Sequence, residues 1–362
     1  MTIYSCFICH EPYPAQGLPY KCTNCGGPYT VSQIDWYKPI KDTKIAPGIW
    51  RYRPSFGLHS NAPKIYLGEG NTPLVELPGS DKKVLLKLEN LNPTGSFKDR
   101  GTAILVSMMK TRHVSNAVED SSGNAGASFS SYSQAFGISS NIFIPASTSG
   151  TKRKQIQATG CNVIAVDGSR EETYRSAINH VQQNNIPYAS HAFLPFGLTG
   201  IATIAYELFE QLAGKIGTVL MPVGHGSLMC GILLGFHALR KAKAIPELPS
   251  FIGVQPEHFA PVWAQWTQQP YKRSDKPSIA EGTCITNPVR GNQIIQLIDK
   301  NKDDFVIVSD DEVLLAHQSL IKKGFMIEPT SAMAYAALGK IKKELPLPIV
   351  LVMSGSGLKT LK

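Results

Sequence analysis

At 362 residues, 43% apolar and 17% charged, the chain can bury one large core or two moderate ones, which excludes a disordered protein. No apolar run is long enough for a membrane span, and the opening MTIYSCFICH lacks the basic-then-apolar order of a secretory signal, so a soluble, cytoplasmic protein with no membrane partner is expected. The net charge of +9 comes from scattered lysines and arginines with no basic block, which fits an enzyme that handles anions better than a nucleic-acid partner.

In chain order, residues 1–36 read as a small module, Cys-rich and too short for an apolar core. Four of the seven cysteines lie here, as Cys6-x-x-Cys9 and Cys22-x-x-Cys25 with twelve residues between the pairs. Such knuckles set four thiolates around Zn2+, and a closed four-Cys site is structural. His10 adjoins the first pair, but four sulfurs already complete the shell. Cys161, Cys230 and Cys284 have no partner at metal spacing and are expected as small buried apolar residues.

Residues 37–84, with Pro39, Pro47, Pro54 and Pro63, read as a connector and the start of the large domain, the main body beginning near Lys64. Beyond it, β-rich runs alternate with helical stretches. Strands are expected at 84–88, 116–119, 141–145, 162–167, 218–222, 250–255, 305–308 and 348–353, with helices among them at 125–135, 152–158 and 171–183. Alternation of this kind predicts an α/β fold with parallel sheets, divided into a small α/β domain over 85–195 and a large one over 196–362. Ligands in such sheets sit beyond the carboxyl ends of the strands, where Gly-rich turns open helices.

Several such junctions are chemically suggestive. NPTGSFKDRG sets Lys98 at a helix start, where the helix dipole disfavours a cation and favours a lowered amine pKa or a covalent role. In SSGNAG the helix-start amides around Ser121, Ser122 and Gly123 form a carboxylate site. In VGHGSLMCG, Met229 stands where a dinucleotide fingerprint would need its third glycine. Gly224, His225, Gly226, Ser227 and Leu228 instead read as a phosphate cradle at a helix N-terminus. A phosphorylated substrate would need its own cations, and of Lys152, Arg153 and Lys154 the last is the candidate.

The ordered set LGEGNTPL, NPTGSFKDRG, SSGNAG, a glycine turn after a strand, EPTSA and a terminal SGSGLK resembles the tryptophan-synthase-β family of pyridoxal-phosphate enzymes (fold-type II). Within it the chain is most similar to threonine-synthase-like members with an N-terminal zinc ribbon. The resemblance implies two α/β domains behind the ribbon, pyridoxal 5'-phosphate carried on Lys98, and the same lysine moving protons as base and acid. It assigns the Asn124 amide to the cofactor's ring hydroxyl and Ser354 to its pyridine nitrogen. A neutral hydroxyl there would leave the ring a weaker electron sink, which suits elimination better than transamination. A homodimer is the family's default.

The reaction so implied converts O-phospho-L-homoserine to L-threonine and phosphate. The alternative within the family is β-elimination or β-replacement on serine, threonine or an activated serine. A third reading, a ribbon that binds nucleic acid or protein on an inactive scaffold, would have to stack bases on Tyr20 and Tyr29 beside Lys21.

Overall fold

Contiguous apolar runs such as Ile349–Val352 and Thr218–Pro222, buried at every position, make strands that must be covered on both faces. The computed structural model describes residues 3–32, 34, 37, 39–41, 46–148, 150–274 and 276–360, with the main chain alone for Lys152 and Thr360.

The first strands, β1 (Tyr4–Cys6) and β2 (Tyr29–Val31), pair antiparallel, as do β3 (Leu74–Glu76) and β4 (Val84–Lys87). Then follow α1 (Lys98–Thr111), β5 (Asn116–Glu119), α2 (Asn124–Ala135), β6 (Ser139–Pro145), α3 (Gly150–Gln157), β7 (Asn162–Val166) and α4 (Arg170–Asn184). The rest comprises α5 (Phe196–Gln211), β8 (Thr218–Pro222), α6 (Ser227–Lys241), β9 (Ser250–Pro256), α7 (Pro261–Thr267), α8 (Gly291–Leu297), β10 (Asp304–Val308), α9 (Asp310–Lys322), α10 (Pro329–Leu338) and β11 (Ile349–Val352).

Two sheets carry the α/β body: a six-stranded one in the order β10-β9-β8-β11-β4-β3, parallel except for β3, and a parallel three-stranded one in the order β5-β6-β7. Every strand read from the sequence is present, with ends shifted by a residue or two. Residues 85–87, expected in the smaller unit, instead lie in β4, which pairs with β11 and β3 in the larger sheet. The chain therefore starts the large sheet, leaves it through α1 to build the small one, and returns at α5. That helix is buried along most of its length and packs on α1 and α6. Apolar nearly all round, it shows little of the periodicity that marks a surface helix.

The Cys-rich module is not a detached bead. Tyr4 and Tyr13 meet the ring of Phe196 edge-on, both at 4.9 Å between centroids, and the Tyr4 hydroxyl donates to the Phe56 carbonyl. Tyr29 is wholly buried, and Tyr20 packs edge-on against Tyr188 and Phe193. Both rings offered above for base stacking are thus engaged in packing. Cys230 is buried, whereas Cys161 and Cys284 are half-buried. Among the described residues no helix is long and apolar enough to cross a membrane.

Candidate active site

The turns that follow β4, β5, β8 and β11 converge on one cavity of ≈ 350 Å³, a size suited to a small-molecule ligand. Lys98, Ser121, Ser122, Gly123, Asn124, Gly224, His225, Gly226, Ser227, Leu228 and Ser354 all line it. Lys154 does not: it is exposed on α3, where its neighbour Gln155 reaches the Thr94 carbonyl at 3.2 Å. The side chain of Lys152 lies outside the described residues.

Lys98 opens α1 because the turn before it is closed by bonds from three directions. Asp99 accepts the Thr94 amide and hydroxyl at 2.7 and 2.5 Å. The Phe97 amide donates to the Ser354 carbonyl at 3.1 Å, and the Ser356 amide to that of Gly95 at 2.8 Å. Burial draws the Lys98 amine down to about 8, with the carboxyl groups of Glu119 and Glu328 opposing. Its nitrogen is therefore part free base near neutrality, the state a carbonyl-trapping amine requires.

Behind Lys98 lies a charge cluster that explains two of the sequence motifs. Arg100 is fully buried, bonded to Glu89 through Nε at 2.7 Å and to Glu207 through Nη1 at 2.6 Å. Lys87 reaches Glu207 at 2.7 Å, and Thr72 donates to Glu89 at 2.7 Å. The Asn71 amide also donates to Glu207 at 2.8 Å. Burial would raise the Glu207 carboxyl, yet Arg100 and Lys87 hold it well below the usual range. LGEGNTPL and KLEN thus brace the lysine-bearing turn and stand apart from the cavity.

At the SSGNAG turn, Gly123 caps α2, and a Cβ at Gly126 would fall 1.8 Å from the Ser121 carbonyl oxygen. Only glycine lets that turn fold back on the helix. The first amides of a helix have no intrahelical acceptor and remain available to an anion. The Asn124 amide, expected to serve a ring hydroxyl, donates to both Glu328 oxygens at 3.1 and 3.0 Å, and its oxygen accepts from Lys359 at 2.5 Å.

Gly226 caps α6 at φ +96, and a Cβ on Gly224 would lie 2.8 Å from the Gly282 carbonyl oxygen. Residues 224–228 form a tight cradle at the start of an apolar, buried helix. His225 keeps a buried Nδ1 with no partner among the described residues, and desolvation, with Lys98, Arg170 and Arg290 adding, holds its ring neutral down to about 3.

Ser354 is buried, 3.1 Å from the Ser331 hydroxyl and 3.4 Å from Glu328 Oε1. A carboxylate beside this hydroxyl is a feature that reading Ser354 alone did not supply. Glu328 belongs to EPTSA, a motif given no role above; it lines the cavity with Arg170, His191 and Glu281. Arg170 pairs with Asp120 at 2.9 Å, and Asp120 also accepts from Tyr188 at 2.6 Å. Of these residues only Glu328 carried a sequence signal.

In the Cys-rich module, the sulfurs of Cys6, Cys9, Cys22 and Cys25 all lie within 4.8 Å of one another. Tetrahedral Zn–S bonds of about 2.3 Å set sulfurs about 3.8 Å apart, so the cluster suits that ion.

A cavity-facing amine of low pKa, opposite two helix-start turns shaped for anions at the mouth of a parallel sheet, defines an enzyme that anchors an anionic carbonyl cofactor on lysine. The chain belongs to the pyridoxal-phosphate-dependent enzyme family, whose sequence profile matches residues 65–355. It is 29% identical to the threonine synthase of Methanocaldococcus jannaschii over 98% of this chain and 92% of that one. With the threonine synthase of Synechocystis sp. the identity is 29%, over 85% and 82%. Among solved structures, maize serine racemase superposes with a TM-score of 0.70 at 22% identity, covering 79% of this chain and 88% of that one. Threonine deaminase isoform 2 from Solanum lycopersicum gives 0.66 at 24%, over 79% of each. These two likenesses speak for the fold. The cofactor fits the residues present: an amine for its aldehyde, a glycine cradle for its phosphate, and in that cradle a buried His225 nitrogen with no partner among the described residues.

Proposed function

We propose that the chain is a pyridoxal-phosphate-dependent lyase of the threonine-synthase type, converting O-phospho-L-homoserine and water to L-threonine and phosphate. The observation that carries this reading is the likeness to the M. jannaschii threonine synthase, which extends over 98% of the chain and so includes the Cys-rich module.

When bound, pyridoxal phosphate supplies an electron sink in conjugation with the substrate's α carbon. Lys98 would hold it, and its Nζ is the group placed to take the α proton and return it to carbon. The helix-start amides at Ser121–Asn124 hold the substrate carboxylate, and Gly224–Leu228 with the Ser227 hydroxyl hold the cofactor phosphate. Asn124 orients the ring from its hydroxyl edge, in competition with Glu328. Ser354 would face the pyridine nitrogen with a neutral hydroxyl, which is shared with Ser331 at 3.1 Å and lies 3.4 Å from Glu328 Oε1. Lys154, exposed on α3, would reach a substrate phosphate only from the cavity's rim.

Zinc in the four-cysteine cluster, a cytoplasmic setting and a homodimer complete the reading. The test is turnover by cofactor-loaded protein. Phosphate and threonine from O-phospho-L-homoserine support it. Keto acid from serine or threonine, with no phosphate released, transfers the chain to β-elimination chemistry.

A further inference from the structure

Lys98 is not the only group on the cavity equipped to move a proton. His191 lines it from the loop before α5, and its Nδ1 lies 2.9 Å from Oε1 of Glu119, the last residue of β5. Glu119 is wholly buried, and its other oxygen has no partner among the described residues. The imidazole therefore stands between a buried carboxyl and the cavity, with Nδ1 committed to Glu119 and Nε2 left for a ligand. A carboxyl–imidazole pair of this build fixes the ring's orientation and tautomer.

The surroundings decide where the protons sit. Burial first, then Lys98 from α1, His225 from the turn before α6, Arg170 from α4 and Arg290 from the turn before α8, all disfavour an imidazolium. Burial and Asp120 raise Glu119 well above the usual carboxylate range, against Arg170 and Lys98. Both shifts favour a neutral carboxyl donating to a neutral ring, which would put the ring's own hydrogen on Nε2.

The reaction proposed above needs such a hydrogen. A β proton goes to Lys98 and its C–H electron pair forms the bond between the β and γ carbons as the bond between the γ carbon and the phosphate ester oxygen breaks; that bond's pair stays on oxygen as a phosphate trianion, and Lys98 later returns the proton to the γ carbon. We infer that His191 is the general acid for that departure and Glu119 its positioning and proton-storing partner. As the C–O bond breaks, the Nε2 hydrogen passes to the leaving oxygen and the Glu119 carboxyl hydrogen moves to Nδ1. Phosphate leaves as the dianion, and the pair is left as carboxylate and neutral ring. When water adds at the β carbon, the proton it releases returns to Nε2 and the relay reverses, so the pair ends as it began.

This inference rests on the phosphohomoserine reading, and its test separates the two. In cofactor-loaded protein, His191→Asn should slow single-turnover phosphate release by about 100-fold or more, while exchange of the substrate's α proton with deuterated solvent stays within about threefold of the parent. Glu119→Gln should slow phosphate release less than His191→Asn does and spare the same exchange. Nitrogen-15 NMR of the histidines, without any substrate, should find the His191 hydrogen on Nε2 in the parent protein. Phosphate release unimpaired in His191→Asn, or a ring hydrogen on Nδ1 in the parent, overturns the assignment. A parent protein that exchanges the α proton yet never releases phosphate counts against the functional reading, and the NMR tautomer then still decides the pair.

Discussion

The guanidinium of Arg290 donates to the main-chain carbonyl of Tyr29 at 3.1 Å, joining the Cys-rich module to the turn before α8. The same group donates to the carbonyls of Phe193 and Leu194 at 3.2 and 3.1 Å, in the loop that carries His191. Its backbone amide holds the His225 carbonyl at 3.0 Å. One buried residue therefore ties β2, the His191 loop and the phosphate cradle together. Lysine lacks the planar fork these carbonyls require, so Arg290→Lys should cost about 2–3 kcal/mol of stability in denaturant unfolding and lower turnover together with it.

The four-cysteine cluster predicts one zinc per chain by metal analysis. Because Tyr4 and Tyr13 pack on Phe196 at the start of α5, stripping the metal, or Cys22→Ser, should lower the thermal midpoint of the main body as well as loosen the module. An unchanged midpoint after complete removal would mean that the aromatic packing holds without the ion.

Glu207 balances both Arg100 and Lys87 inside the core. Removing one partner from such a cluster leaves an uncompensated buried charge, so Glu207→Ala should cost about 3–5 kcal/mol. Equilibrium unfolding measures this, and a loss under about 1 kcal/mol would show the cluster to be solvated like a surface pair.

Burial brings the Lys98 amine to about 8. Below that pH the amine is protonated and cannot add to an aldehyde; above it the free base prevails. The rate of cofactor uptake by cofactor-free protein should accordingly rise with pH through a midpoint near 8 and then level off. A midpoint in the range of an ordinary lysine, about 10.4, would place the amine in water.

How far the sequence could be read depended on whether a feature is local. Strands such as Thr218–Pro222 and the helix start at Lys98 follow from short windows of apolar residues and turn chemistry, and both appear where expected. The glycine turns around Ser121 and Gly226 were legible for the same reason, since each residue's role is set by its own backbone. His191 and Glu119 escaped notice because 72 residues separate them, and neither sits in a motif that marks it. Arg170 escaped too: at the first turn of α4 beside a Ser169–Glu172 capping box, it looks like an ordinary helix-start residue until α4 is packed. Residues 85–87 were read into the smaller unit because pairing between β4 and β11 joins residues more than 250 positions apart, which no local pattern records. Lys154 lies outside the cavity lining, and charge pattern alone does not say which face of α3 meets the cavity.

The most direct test of the whole account is to reduce the cofactor-loaded protein with borohydride and map the fixed pyridoxyl group by peptide mass spectrometry. The account predicts one modified residue, Lys98. A modification at another lysine, or a protein that retains no pyridoxyl group after reduction, would contradict it.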